Sequence, residues 1–125
     1  MLQKLFFIAL AGAAGTLARY GLAGLVQMRS GASFPFGTLS VNLLGCFVFG
    51  IIFALSERMT SLSAETRTIL LVGFAGAFTT FSTLMYETNA LRLDGQWGLF
   101  VANLLGQNLG GIIFVAFGLY LGKLL

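Results

Sequence analysis

Within residues 73–83, Gly-Phe-Ala-Gly-Ala-Phe-Thr-Thr-Phe-Ser-Thr, four hydroxyls (Thr79, Thr80, Ser82, Thr83) and two glycines (Gly73, Gly76) fall inside an uncharged run, Thr68 to Tyr86, long enough to cross a bilayer. Polar groups at that depth need partners, because one left without any costs on the order of 2–7 kcal/mol in hydrocarbon. Irregular backbone inside a membrane is tolerated only where it is buried in protein or lines a wet cavity. The pattern predicts a helix interrupted at mid-membrane to build an ion or substrate site.

Other polar residues are spaced to face that site. Gly12, Thr16 and Arg19 share one helical face, as do Thr38, Asn42 and Gly45; Asn103 and Gln107 stand one turn apart, with Asn108 directed elsewhere. Such residues inside spans face a bundle interior or a water-filled cavity. Asn42, Asn103, Gln107, Thr79, Thr80, Ser82 and Thr83 all carry hydrogen-bond donors, while Glu87, at the edge of its run, is the one carboxylate near a span interior. Arg19 lies toward the end of its run, where its side chain can snorkel; it either binds backbone carbonyls at a helix end or supplies positive potential at a vestibule. Phe78 and Phe81 flank the polar segment one turn apart, and an aromatic ring has a positive edge. Most of the 13 phenylalanines suit a lipid-facing role, but Phe81, enclosed in Thr-Thr-Phe-Ser-Thr, suits a pore. Amide and hydroxyl donors, ring edges and one arginine fit an anion path.

The elements that must position these residues are written in the composition. Of 125 residues, 58% are hydrophobic and 9% charged, against roughly 25% charged in a soluble domain. Four apolar stretches, about residues 5–28, 37–56, 68–90 and 96–122, each meet the roughly 20 residues that a spanning helix needs. The chain therefore reads as one all-α membrane domain of four transmembrane helices. The first stretch is too long for a signal-peptide core and is expected to remain as a span. Lys4, Arg58, Arg67 and Lys123 fall on one side and Arg29 and Arg92 on the other, a weak bias toward cytoplasmic termini that permits insertion both ways. Four helices enclose little interior, so an oligomer, most simply a dimer, is expected. The pairs Gly106/Gly110 and Gly118/Gly122, with Gly12/Gly15 and Gly21/Gly24, suit close helix packing.

Several chemistries are excluded. Histidine is absent, the single Cys46 cannot form an intrachain disulfide, and no nucleophile–base pair or metal-ligand cluster is present, so no enzyme is expected. The net charge of +3 is scattered at helix ends, which argues against nucleic acid.

The motif Gly73-Phe74-x-Gly76-x-x-Thr79-Thr80-Phe81-Ser82-Thr83 resembles the third-helix signature of the Fluc (CrcB) fluoride channels. Gly12-x-x-Gly15-x-x-x-Arg19, Gly37-Thr38-Leu39-x-x-Asn42-Leu43-x-Gly45 and Glu87 match in the same order, so the resemblance covers all four spans. It implies a passive fluoride-selective channel of the cell (inner) membrane, assembled as an antiparallel dual-topology homodimer among lipid. Two pores run along the dimer interface in that family, and a structural sodium sits at the centre on third-helix carbonyls, here those of Gly76 and Thr79. Asn42 takes the pore-asparagine role, Phe81 that of the first pore phenylalanine, and Thr80, Ser82 and Thr83 supply hydroxyls. Thr38 lies on the same track, and Asn103 and Gln107 fit the polar track of the fourth span. The family usually carries a second pore phenylalanine where this chain has Leu84; either it is dispensable, or Phe78 takes part of its role.

Two other readings compete. A small dual-topology exporter of cationic compounds needs a mid-membrane acid, and the first span has none. A non-transporting assembly protein has no use for a polar stripe in every span.

Overall fold

The computed structural model describes residues 1–58 and 62–125. Its described secondary structure is entirely helical, and four stretches are long and apolar enough to cross a membrane: Leu2–Ser30, Phe36–Arg58, Ala64–Leu93 and Trp97–Leu124. The first three outrun at both ends the apolar stretches that announced them, and the fourth, starting at Trp97, runs on to Leu124. Ser63 accepts from Thr66 N–H at 3.1 Å to start the third span four residues before Thr68. The first span ends at Gly31, whose φ of 58° only glycine takes readily, and its N–H donates to Gln27 O. Gln27 then ties down the connection. Its Nε2 donates to Ala32 O and Phe34 O, and its Oε1 accepts from Gly37 N–H, which the new helix leaves without a partner.

The second and fourth spans pack most extensively on each other, and the first packs on the third. Small residues permit both contacts. A Cβ at Gly50 would lie 2.5 Å from Val115 O, one at Gly118 would collide with Phe47 O, and one at Gly122 would lie 2.8 Å from Ala54 Cβ. Across the other contact, a Cβ at Gly15 would collide with Phe74 O, and one at Gly73 would lie 2.9 Å from Ala11 Cβ. The glycine pairs read from the sequence are thus only partly packing sites within one chain. Gly106, Gly21 and Gly24 have nothing within 4 Å of a built Cβ.

The third span changes character along its length. Ala64–Thr68 is α-helical, Ile69–Ala75 is π-helical, and Gly76–Phe78 is a further short α-helical turn. The Gly76 N–H reaches back five residues to Leu71 O, the bond that defines the wider π turn. Thr79 (φ −86°, ψ 160°) and Thr80 (φ −148°, ψ 114°) are extended, and an α-helix resumes over Phe81–Leu93. Nothing in the apolar periodicity signalled the π-helical portion.

The buried core is small: Val41, Ala54, Leu71, Ala75, Phe78, Leu84 and Leu91. Large apolar side chains instead point outward along every span, Leu17, Val72, Ile112 and Phe117 among them. In water that arrangement would be untenable; in hydrocarbon it is the expected outer surface.

Candidate functional site: a polar ring around Thr79 and Thr80

The two extended residues remove backbone hydrogen bonds, and their neighbours replace them. In a continuous helix Thr80 N–H would donate to Gly76 O and Thr83 N–H to Thr79 O. Here Thr80 N–H donates to Asn42 Oδ1 at 2.8 Å, and Thr83 N–H donates to Thr80 Oγ1 at 3.3 Å, an N-cap for the resumed helix. Thr80 O in turn accepts from Asn42 Nδ2 at 3.1 Å. One asparagine on the second span therefore holds both the amide and the carbonyl of Thr80. Thr79 O accepts from Arg19 Nη1 at 3.4 Å, and the Thr79 hydroxyl donates to Ala75 O at 3.2 Å. Of the two readings of Arg19 left open by the sequence, carbonyl binding is the one seen within a single chain.

From Asn42 a line of amides runs into the fourth span and back to the third. Asn42 Nδ2 donates to Gln107 Oε1 (2.7 Å), Gln107 Nε2 to Asn103 Oδ1 (2.9 Å), and Asn103 Nδ2 to Thr88 Oγ1 (2.8 Å). Thr88 Oγ1 closes the line by donating to Leu84 O at 2.6 Å. Asn103 is wholly buried, Thr88 and Gln107 nearly so, so satisfied partners matter more here than on a surface.

Beside this line lies a groove of about 590 Å³ with no carboxylate in its lining: Asn42, Thr80, Gln107 and Asn108 give it a polar side, and the rest of the wall, Phe81, Leu84, Ile112, Val115 and Leu119 among it, is mostly apolar. Phe81, in the wall of that groove, is 68% exposed. Its side chain is therefore largely uncovered within one chain, although the backbone beneath it is fixed by the Thr80 contacts.

The structure brings Asn42, Thr79, Thr80, Phe81 and Gln107 to one place. Asn103 stands behind Gln107 as its acceptor. Thr83 is half-buried and accepts from Thr80 Oγ1 at 3.0 Å, and Ser82 is exposed with its hydroxyl 3.4 Å from that oxygen. Gly76 is exposed, its carbonyl deprived of the Thr80 donor. Thr38 lies apart from the groove: its hydroxyl donates to Glu87 Oε1 at 2.8 Å, and Glu87 Oε2 is buried with no partner among the described residues. Phe78 is not in the groove either. It is 7% exposed, stacks on Phe74 with ring centroids 5.9 Å apart, and lines a separate apolar cavity with Ala18, Leu44 and Val48.

Sequence reasoning passed over Thr88. It lies just past the uncharged run, and its one signal is a threonine four residues after Leu84, the spacing at which a helical hydroxyl reaches back to a carbonyl.

A family model described as CrcB-like protein, Camphor Resistance (CrcB), matches residues 6–119. A protein of Nitrosococcus oceani is 51% identical over 125 residues, covering all of both chains. Proteins of Solidesulfovibrio magneticus and Desulforapulum autotrophicum are each 50% identical over the same length, again covering all of both chains. All three bear the name Fluoride-specific ion channel FluC, the name of a channel and not of an enzyme.

Proposed function

The chain belongs to the CrcB family, and from that premise we propose that it is a passive fluoride-selective channel that exports fluoride from the cytoplasm. The observation that carries this reading is the groove beside Thr80: amide and hydroxyl groups along one side of an otherwise apolar wall, an exposed Phe81, and no carboxylate. Fluoride is small and strongly hydrated, so a path for it must replace water donors with closely spaced protein donors. Carboxylates would repel it. A negative interior drives an anion outward by about 2.3 kcal/mol per charge per 100 mV, so no energy-coupling site is required.

The finer parts of the reading are an antiparallel dual-topology homodimer, two pores, a third helix broken at mid-membrane and a central structural sodium. The open groove and the largely exposed Phe81 side chain support a second copy completing each pore. Fit to a sodium rests on two oxygens. Gly76 O has lost its helical donor, and Thr79 O holds only a 3.4 Å contact from Arg19 with a second lone pair to offer. Neutral carbonyls of an unwound segment are the groups that hold a sodium ion in membranes. Two per chain make four in a dimer. The sodium would neutralise those oxygens and fix the breaks against each other.

Fluoride-electrode recording of efflux from liposomes tests the function. A channel releases fluoride without a proton gradient; an exporter of cations or an assembly protein gives no such flux.

A further inference from the structure

We propose that Thr88 is a positioning residue for the groove: with Thr80 N–H at the opposite end it anchors the amide line in one direction, which leaves Gln107, and not Asn42, with an N–H to offer an anion. The proposal rests on the channel reading above. Its logic starts from groups that cannot change role. Leu84 O can only accept, so the Thr88 hydrogen points to it. With that hydrogen committed, Thr88 Oγ1 accepts from Asn103 Nδ2. Asn103 Oδ1 then faces Gln107 Nε2, and Gln107 Oε1 faces Asn42 Nδ2. At the far end Thr80 N–H can only donate, and Asn42 Oδ1 receives it.

Both ends therefore demand the same direction, and both belong to the start of one helix, Thr80 as its cap and Leu84 in its first turn. The line is a ring closed through Thr80–Leu84. Turning over any amide sets oxygen against oxygen on one side and hydrogen against hydrogen on the other. Buried pairs of that kind do not persist.

The hydrogens are then accounted for. Asn42 has two amide hydrogens, which go to Thr80 O and Gln107 Oε1. Gln107 also has two; one goes to Asn103, and the other has no partner among the described residues. Gln107 lines the groove, whereas Thr88 does not touch it. In this geometry Asn42 holds the backbone and Gln107 presents the donor, with Thr88 holding Asn103, and through it Gln107, at the end of the line away from Thr80.

The test compares Thr88→Val, which removes the hydroxyl at nearly constant volume, with Thr88→Ser, which keeps it. Wild-type protein in fluoride-loaded liposomes is the control: no efflux from it defeats the channel reading, whatever Thr88 does. Given wild-type efflux, Thr88→Val is expected to lower the flux about tenfold, the effect of one misplaced hydrogen bond. Thr88→Ser restores it. The side-chain ¹H–¹⁵N resonance of Gln107, identified by its loss in Gln107→Met, is expected to move in Thr88→Val, stay in Thr88→Ser, and respond to added fluoride in the wild type. A merely structural Thr88 would lower the unfolding temperature without moving that resonance. Unchanged flux in Thr88→Val overturns the proposal, as do equal losses in both variants, an unmoved Gln107 resonance, or a fluoride response at Asn42 alone. Should Thr88→Val fail to assemble, Thr88→Ala, which overpacks nothing, is read by the same criteria.

Discussion

Replacing Asn42 by leucine separates two jobs that one side chain can do at this site. Leucine keeps most of the volume and removes every polar contact. Three groups then lose a partner: Thr80 N–H, Thr80 O and Gln107 Oε1. An unsatisfied buried group costs about 1–3 kcal/mol, so the three together cost roughly 3–9 kcal/mol before relaxation. Thr80 and Gln107 are nearly buried but both border an open groove. Water entering there recovers part of the loss, which favours the lower end, about 3 kcal/mol. On the scale of soluble domains, where 1 kcal/mol moves the midpoint by about 2–8 °C, the unfolding temperature should fall on the order of 10 °C. The assay is thermal unfolding in detergent, read beside fluoride efflux from liposomes. Asn42→Asp is the companion: it still accepts from Thr80 N–H but sets an oxygen against both Thr80 O and Gln107 Oε1, and it should be at least as damaging. An Asn42→Leu protein that unfolds at the wild-type temperature while losing flux would refute the reasoning, because Asn42 would then serve the ion alone and not hold the chain.

Phe81→Ile is expected to abolish fluoride efflux with little loss of stability, since the ring is 68% exposed within the chain; normal flux removes Phe81 from the pore. Phe78→Leu should do the reverse, retaining flux while lowering the unfolding temperature through loss of the Phe74 stack, worth about 0.5–1.5 kcal/mol. Gly118→Ala should prevent assembly, because its Cβ meets Phe47 O and the Gly50 backbone, which have no room to retreat. Gly106→Ala meets nothing within the chain and should be neutral or stabilising by up to about 1 kcal/mol; lost assembly in that variant would place Gly106 at a contact with another chain. Exchanging sodium for potassium should lower the unfolding temperature of the wild type, and an unchanged midpoint would count against a sodium on Gly76 and Thr79.

What the sequence made legible follows from what hydrophobicity and spacing encode. Long apolar runs with almost no charge announced four spans, because a spanning helix needs about 20 predominantly apolar residues. Helical spacing placed Asn103 beside Gln107 and Asn42 beside Thr38, since residues four apart share a face. Spacing along one helix says nothing about the rotation of a neighbouring helix. Asn42 thus turned out to meet Thr80 and Gln107, while Thr38, one turn away, meets Glu87 instead. The same limit hid Thr88, whose part depends on Asn103 reaching it from another span. The π-helical stretch was invisible because an inserted residue leaves no mark in composition. Its effect is to advance the register of the span, and with it the face on which Thr79 and Thr80 emerge.

That register bears on the single aromatic in the groove. Phe78 and Phe81 are three residues apart, and in one continuous helix they would share a face. The extended residues Thr79 and Thr80 stand between them, so Phe78 turns into the cavity between the first, second and third spans and Phe81 turns to the groove. Leu84 follows Phe81 by three residues inside the resumed helix, and it does reach the groove wall. The position at which the resemblance would put a second phenylalanine thus lies in the groove wall but carries the aliphatic Leu84, while the nearest upstream ring is directed away from it. Any positive ring edge offered to an anion along this stretch comes from Phe81, or from another chain. If the groove is the anion path proposed above, the remaining attraction would have to come from N–H and O–H groups, which would place a larger share of the recognition on the amide line behind the groove than an arrangement with two rings would require.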